Sequence, residues 1–357
     1  MTTADPARNE FDPTAAAAGA PGRSQRVVEA LSRSWLFIFL LLLVGFFWAT
    51  TPSGTFLSHS NLTQIALSTS EVVLLAIGQT FIIVTAGIDL SIGGIVFLAG
   101  VCGGEVMLKV SGSDQQVING DYPHAGLGIA LGVIVCVLTG GVCGFVNGLT
   151  ITKLKLPPFI VTLGMLGITF GLGEVIDGGS YLPAPVPPGL SNSFGNGKFL
   201  GIFWPIWLAF VVLILAHVAF TYARFGRYTR AVGSNAEAAR RAGIAVDWHV
   251  IKVYALAGFL AGIAAVVDLA IYTNTTSASH RLDNLAAISA VVLGGTSLFG
   301  GVGSVLMSAV GAFVPTVLQN GLVIKNVQPF WQEVVVGATI IFAVYLDQLR
   351  RRRLDSS

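Results

Sequence analysis

The chain has 357 residues, of which 54% are hydrophobic and only 11% charged, with a mean hydropathy of +0.77. Soluble domains carry about 25% charged residues, so the composition excludes that class and indicates an integral membrane protein. The formal net charge of +2 says little by itself, and nothing in the chain points to nucleic acid.

Residues 1–34 are polar and rich in Ala, Pro and Gly. They are expected to be mostly disordered and cytoplasmic, and no cleavable signal peptide is visible. Spans need about 20 apolar residues, or about 17 at the short end. The first, over 35–51, follows Arg23, Arg26 and Arg33 and reads as an uncleaved anchor with its N-terminus inside. Further spans are predicted over 62–86, 92–110, 125–151, 159–176, 201–222, 250–272, 305–320 and 330–346. Residues 285–299 form a short, Gly-interrupted stretch that reads as a re-entrant or broken helix, which membranes tolerate only where protein or water surrounds it. Residues 273–284 are expected outside, and 177–200 form a Pro- and Gly-rich outer loop. The fold class is therefore all-α, with about ten transmembrane helices and both termini cytoplasmic. A membrane domain occupies 35–349 and a basic tail 350–357. Of the 20 Lys and Arg, only Lys109, Lys198, Arg281 and Lys325 fall on the proposed outer side, which fits the positive-inside rule.

One polar, basic stretch interrupts this pattern, Gly-Ser-Asn-Ala-Glu-Ala-Ala-Arg-Arg-Ala-Gly-Ile from Gly233 to Ile244. Ser234 with Glu237 three residues later makes a capping box. Ala236, Ala238 and Ala239 favour helix. Gly243 suits a left-handed C-terminus, and Arg240 and Arg241 place the segment on the cytoplasmic side. It reads either as an ordinary basic loop or as a docking helix for a cytoplasmic partner.

Enzyme signatures are missing: no HExxH, no GxSxG and no phosphate loop ending in Gly-Lys-Ser/Thr. The five histidines are scattered without ligand spacing, so no metal site is expected. Three cysteines without CxxC spacing read as small buried residues. Any energy from nucleotide must then enter through another chain. Polar groups within spans are costly and so informative. Asp89, in a Gly-Ile-Asp-Leu-Ser turn, reads as the N-cap of the third span or as a gating residue. Glu71, Glu105, Glu174, Asp268 and Glu333 read as interfacial or interhelical hydrogen-bonding groups. Gln79, Asn147, Thr162, Asn274 and Asn320 are candidates for a polar path, or serve as helix glue. An uncharged polar lining suits a neutral polyhydroxylated solute. One internal echo stands out: Gly87 to Gly93 and Gly295 to Gly301 share a Gly-x-x-Leu-x-x-Gly frame, each after a span running inward.

Several motifs, taken together and in order over residues 60–347, resemble the sugar-type ABC transporter permeases, which handle ribose, xylose, arabinose and galactose. These are Thr85-Ala-Gly-Ile-Asp-Leu-Ser-Ile-Gly93, Gly144-Phe-Val-Asn-Gly148, Pro158-Phe-Ile-Val-Thr-Leu163, Gly226 to Ile244, and Val292-Leu-Gly-Gly-Thr-Ser-Leu-Phe-Gly-Gly-Val-Gly-Ser304. The chain departs from the family at Phe170-Gly171, where Arg-Gly is frequent, and in a longer Pro-rich loop over 181–189. The resemblance implies a permease subunit of an inner-membrane importer, with no cofactor of its own. A cytoplasmic ATPase would bind ATP, a periplasmic binding protein would deliver the sugar, and a second permease chain would complete a homodimer. Ser234, Glu237, Ala238, Ala239, Arg240, Arg241 and Gly243 would form the coupling helix, with Ala238, Ala239 and Gly243 seated in the ATPase. The wider superfamily includes branched-chain amino acid permeases. An ion-coupled carrier acting through Asp268 or Asp89 is a further alternative.

Overall fold

The computed structural model describes residues 23–179, 182–328, 330–339, 341–342 and 345, with side chains from residue 35 onward. The apolar runs fold as helices whose ends follow the breakers in the sequence. Helix α1 is Arg23–Thr50, α2 His59–Val84 and α3 Ile92–Ser111. A short α4, Asp114–Ile118, precedes α5, Ala125–Lys153, and α6, Pro158–Ile176. After a brief α7, Pro188–Leu190, a π-helical turn (Ser191–Gly195) leads to an antiparallel hairpin of β1, Lys198–Phe199, and β2, Ile202–Phe203. Then come α8, Trp204–Thr221, α9, Arg224–Ser234, and α10, Ala236–Arg241. The chain continues with α11, Val246–Tyr272, α12, Asp283–Leu293, and α13, Val305–Ile324, and residues 330–339 are helical again. This is an all-α membrane protein: among the described residues, seven helices are long and apolar enough to cross a membrane (α2, α3, α5, α6, α8, α11 and α13).

Helix α1 begins at Arg23, inside the stretch expected to be disordered to residue 34. Within residues 273–282, expected outside, Thr275 and His280 are almost fully buried, while Ala278, Ser279 and Arg281 are exposed. The short stretch over 285–299 becomes α12, only 11 residues long, as its length demanded. The basic tail, 350–357, lies outside the described residues.

Burial separates centre from rim. The apolar window of α2 is 89% buried and that of α8 only 17%, so α2 runs through the middle and α8 along the outside. The reason for the close central packing is a row of small residues. On α5, Gly128, Gly132, Cys136, Gly140, Gly144 and Gly148 recur every fourth residue and so share one face. A Cβ at Gly140 would overlap the Gly258 carbonyl of α11, and one at Gly144 the Tyr254 carbonyl. The backbones of α5 and α11 therefore touch directly. Van der Waals contact of this kind substitutes for the hydrophobic drive that lipid cannot supply.

Candidate functional site

Helix α2 stops at Val84 and α3 starts only at Ile92. Ala86 takes a left-handed φ of 61° and turns the chain there. A broken backbone within a membrane needs partners for its free N–H and C=O groups. Three of the six residues expected along a path, Gln79, Asp89 and Thr162, supply them, and a fourth, Asn147, holds the Ser91 side chain. The Gln79 side-chain amide donates to the Asp89 carbonyl at 2.5 Å. Asp89 Oδ1 accepts from the Ser91 N–H at 2.7 Å and from its hydroxyl at 2.6 Å. Asn147 Nδ2 donates to Ser91 Oγ at 2.9 Å, and the Thr162 hydroxyl to the Ile88 carbonyl at 3.3 Å. All four are buried, so in this conformation they hold the break together and meet no solvent. Ser91, two residues on, occupies the N-cap position of α3 expected of Asp89; the carboxylate reaches the helix entrance by capping Ser91.

The other two candidates lie elsewhere. Asn320 Nδ2 donates to Asn61 Oδ1 at 2.9 Å and ties α13 to the start of α2. Asn274 Oδ1 accepts from the Thr275 N–H at 2.8 Å. Its side chain lines a cavity of about 290 Å³ with Glu71, Asp268, Tyr272 and His280.

That cavity contains a cluster the sequence did not reveal. His280 Nδ1 is 2.7 Å from Asp283 Oδ2 and 3.9 Å from Glu71 Oε1. Its Nε2 is 3.5 Å from Asp268 Oδ2 and 2.9 Å from the Thr275 hydroxyl. Glu71 is the thirteenth of the 26 residues of α2, so the cluster sits halfway along the central helix. Through His280 it fastens the 273–282 segment to α2, α11 and α12. The three acids come from three different helices, α2, α11 and α12, which is why spacing along the chain gave no signal.

The segment expected to dock a partner is helical but starts one residue later than expected. Asn235, not Ser234, is the N-cap of α10, its Oδ1 accepting from the Ala238 N–H at 2.9 Å. Ser234 ends α9 instead. No capping box forms, because Glu237 reaches forward to Arg241 at 3.3 Å and Arg240 at 4.0 Å. Arg240 also pairs with Asp247 at 2.8 Å. Gly243 ends the helix at φ +84°, as its residue type foretold. Ile244 N–H then closes on the Ala239 carbonyl at 3.0 Å. Glu237, Ala238, Arg240, Arg241 and Gly243 are exposed. Ala239 is not available to a partner: it is buried against Val232 and Val246 of this same chain.

Gly233, at the end of α9, presses on the α2 break; a Cβ there would overlap the Val84 carbonyl. Gly301 N–H donates to that same carbonyl at 2.9 Å. A Cβ on Gly301 would lie 2.5 Å from Ser234 Oγ. Three backbones thus meet without intervening side chains: the α9–α10 joint, the α2–α3 break, and the glycine run after α12. The two halves of the internal echo are the second and third of these.

Residues 61–344 match the family described as the permease component of a branched-chain amino acid transport system. The chain belongs to this permease family. The permease is 33% identical over 333 residues to the galactose/methyl galactoside import permease of Escherichia coli (strain K12), covering 90% of this chain and 96% of the relative. It is 32% identical over 331 residues to the ribose import permease of the same strain, with the same coverage. It is 31% identical over 324 residues to the fructose import permease of Rhizobium meliloti, covering 89% of this chain and 85% of the relative. Comparison of the permease with solved structures gave no match.

Proposed function

We propose that the chain is the membrane-spanning subunit of an ABC importer that translocates a monosaccharide, a pentose or hexose, across the bacterial inner membrane. The observation that carries this reading is the run of relatives named as import permeases for galactose, ribose and fructose, matched over about nine-tenths of the chain. A cytoplasmic ATPase supplies the energy and a periplasmic binding protein delivers the solute. A second copy of the chain completes the pathway. The chain crosses the membrane about ten times, with both ends in the cytoplasm, because the basic α9–α10 region then faces inward with most of the Lys and Arg. Helix α10 is the coupling helix, offering Glu237, Ala238, Arg240, Arg241 and Gly243 to the ATPase.

The mechanism follows from the three-backbone junction. Force on α10 passes through α9 to Gly233 and so to the Val84 carbonyl. Packed interfaces of this kind switch between discrete arrangements and do not deform continuously. Displacing Gly233 shifts the α2 break and the glycine run after α12 together, which changes how the spans on either side lean.

The test is ATP hydrolysis by the chain in lipid, alone and then with its ATPase and binding protein, across pentoses, hexoses and branched-chain amino acids. Stimulation by one sugar, with all three components present, is expected. Stimulation by leucine or valine moves the chain to the amino acid branch, and transport driven by an ion gradient without an ATPase overturns the reading.

A further inference from the structure

A second cavity, of about 410 Å³, lies between α6 and the start of α12. It is lined by Phe170, Gly171 and Glu174 of α6, and by Ser277, Arg281 and Asn284. Ligand pockets run from about 300 to 1,000 Å³, so it suits one small ring and no larger chain.

Asn284 shows which way the cavity is wired. It is only 7% exposed. Its Oδ1 accepts from the Gly93 N–H at 2.6 Å, and because that partner is a donor, the oxygen must face it. The Nδ2 group is therefore the free end. It has no hydrogen-bond partner among the described residues, although buried amides ordinarily find one. Glu174 and Arg281 make no ion pair among the described residues, with each other or with anything else. Phe170 is held in place by Phe97, ring centroids 5.7 Å apart. The cavity thus offers an acceptor carboxylate, donors from a guanidinium and an amide, a serine hydroxyl and an aromatic ring, with one charge of each sign.

We infer that this cavity is a solute-contact site for a neutral polyhydroxylated ring, in which Glu174 accepts from, and Arg281 and Asn284 donate to, separate hydroxyl groups. This rests on the permease reading above. The charge balance supports a neutral solute; the 290 Å³ cavity, with three carboxylates around one imidazole, does not match one. A zwitterionic amino acid also carries no net charge and finds one partner of each sign here, so the leucine arm of the experiment separates it from a sugar. The Oδ1 of Asn284, through its bond to the Gly93 N–H, ties the site to the α3 entrance, so a shift of the α2–α3 break moves the Nδ2 solute contact directly.

The experiment uses the complex of permease, ATPase and binding protein in proteoliposomes, with labelled D-ribose, D-galactose, D-fructose and L-leucine. A Cβ at Gly171 meets nothing within 4 Å, so Gly171→Leu fills the cavity without a clash at its root. Glu174→Gln keeps shape and removes the charge. Both are expected to cut sugar uptake about tenfold or more, as loss of a charged hydrogen bond does, and to change the ratio of ribose to galactose transported. If Gly171→Leu does not fold, the isosteric Glu174→Gln decides. Sugar uptake at the wild-type rate and ratio in Glu174→Gln overturns this site alone. No uptake of any sugar by the wild-type complex, or uptake of leucine instead, overturns the sugar-importer reading and the site with it.

Discussion

Gly93, in the first turn of α3, donates its backbone N–H to the side chain of Asn284, in the first turn of α12, at 2.6 Å. A Cβ at position 93 would overlap the His280 carbonyl. The position therefore admits only glycine. Gly93→Ala is expected to lower stability by about 1–3 kcal/mol through loss of this buried bond and to abolish uptake. Thermal unfolding in detergent measures the first and proteoliposome uptake the second. An unchanged midpoint with normal uptake means that the contact between the two helix starts is dispensable.

Gly233 carries the next prediction. Gly233→Ala places a methyl on the Val84 carbonyl, so the three-backbone junction must open. The expected result is a folded protein whose ATPase partner still hydrolyses ATP while sugar uptake falls. Glu237→Lys, on the exposed face of α10 and away from the junction, is expected to give the same uncoupling by weakening the partner contact. Normal uptake in both variants removes α10 and its joint from the mechanism.

Asp89 separates holding from gating. Asp89→Asn keeps a carbonyl oxygen where Oδ1 now accepts two hydrogen bonds and is expected to retain most activity. Asp89→Ala strands the Ser91 N–H and hydroxyl in a buried place, at about 1–3 kcal/mol each. A midpoint that falls for Ala and holds for Asn fits the cap. Complete loss of uptake in a stable Asn variant assigns the residue to gating instead.

His280 is the one histidine placed among Glu71, Asp268 and Asp283. Breaking a buried charge pair by removing one partner costs about 3–5 kcal/mol. His280→Ala is expected to destabilise by that order and to expose residues 273–282 to proteolysis. A protease pattern identical to wild type means that the contacts of His280 do not hold the segment.

The spans were legible in the sequence because each apolar run ends at a breaker. Ile92 and Ala125 were placed correctly as helix starts, and Ile176 and Tyr272 as helix ends. Gly243 was legible for the same local reason. What failed was anything decided by distant packing. Ser234 and Asn235 are both good caps, and only the run of α9 through Ser234 decides between them. The burial of His280 gave no sign in the sequence, because its neighbour Glu71 stands on α2, far away along the chain. Glu71 and Asp268 appeared as separate interfacial acids for the same reason. The polar candidates near the break were found by type, yet their shared attachment to residues Ile88 to Ser91 required three dimensions.

The glycine row of α5 has a consequence for how the protein is made. Its partner at Gly258 follows Gly144 by the whole of α6, α8, α9 and α10. At synthesis rates of about 5–20 residues per second, α5 waits in the bilayer for several seconds before α11 emerges. During that wait its small-residue face is open to any passing helix, including the same helix of a neighbouring nascent chain. The seam that fixes the finished bundle is, during biogenesis, its most exposed opportunity for mispairing.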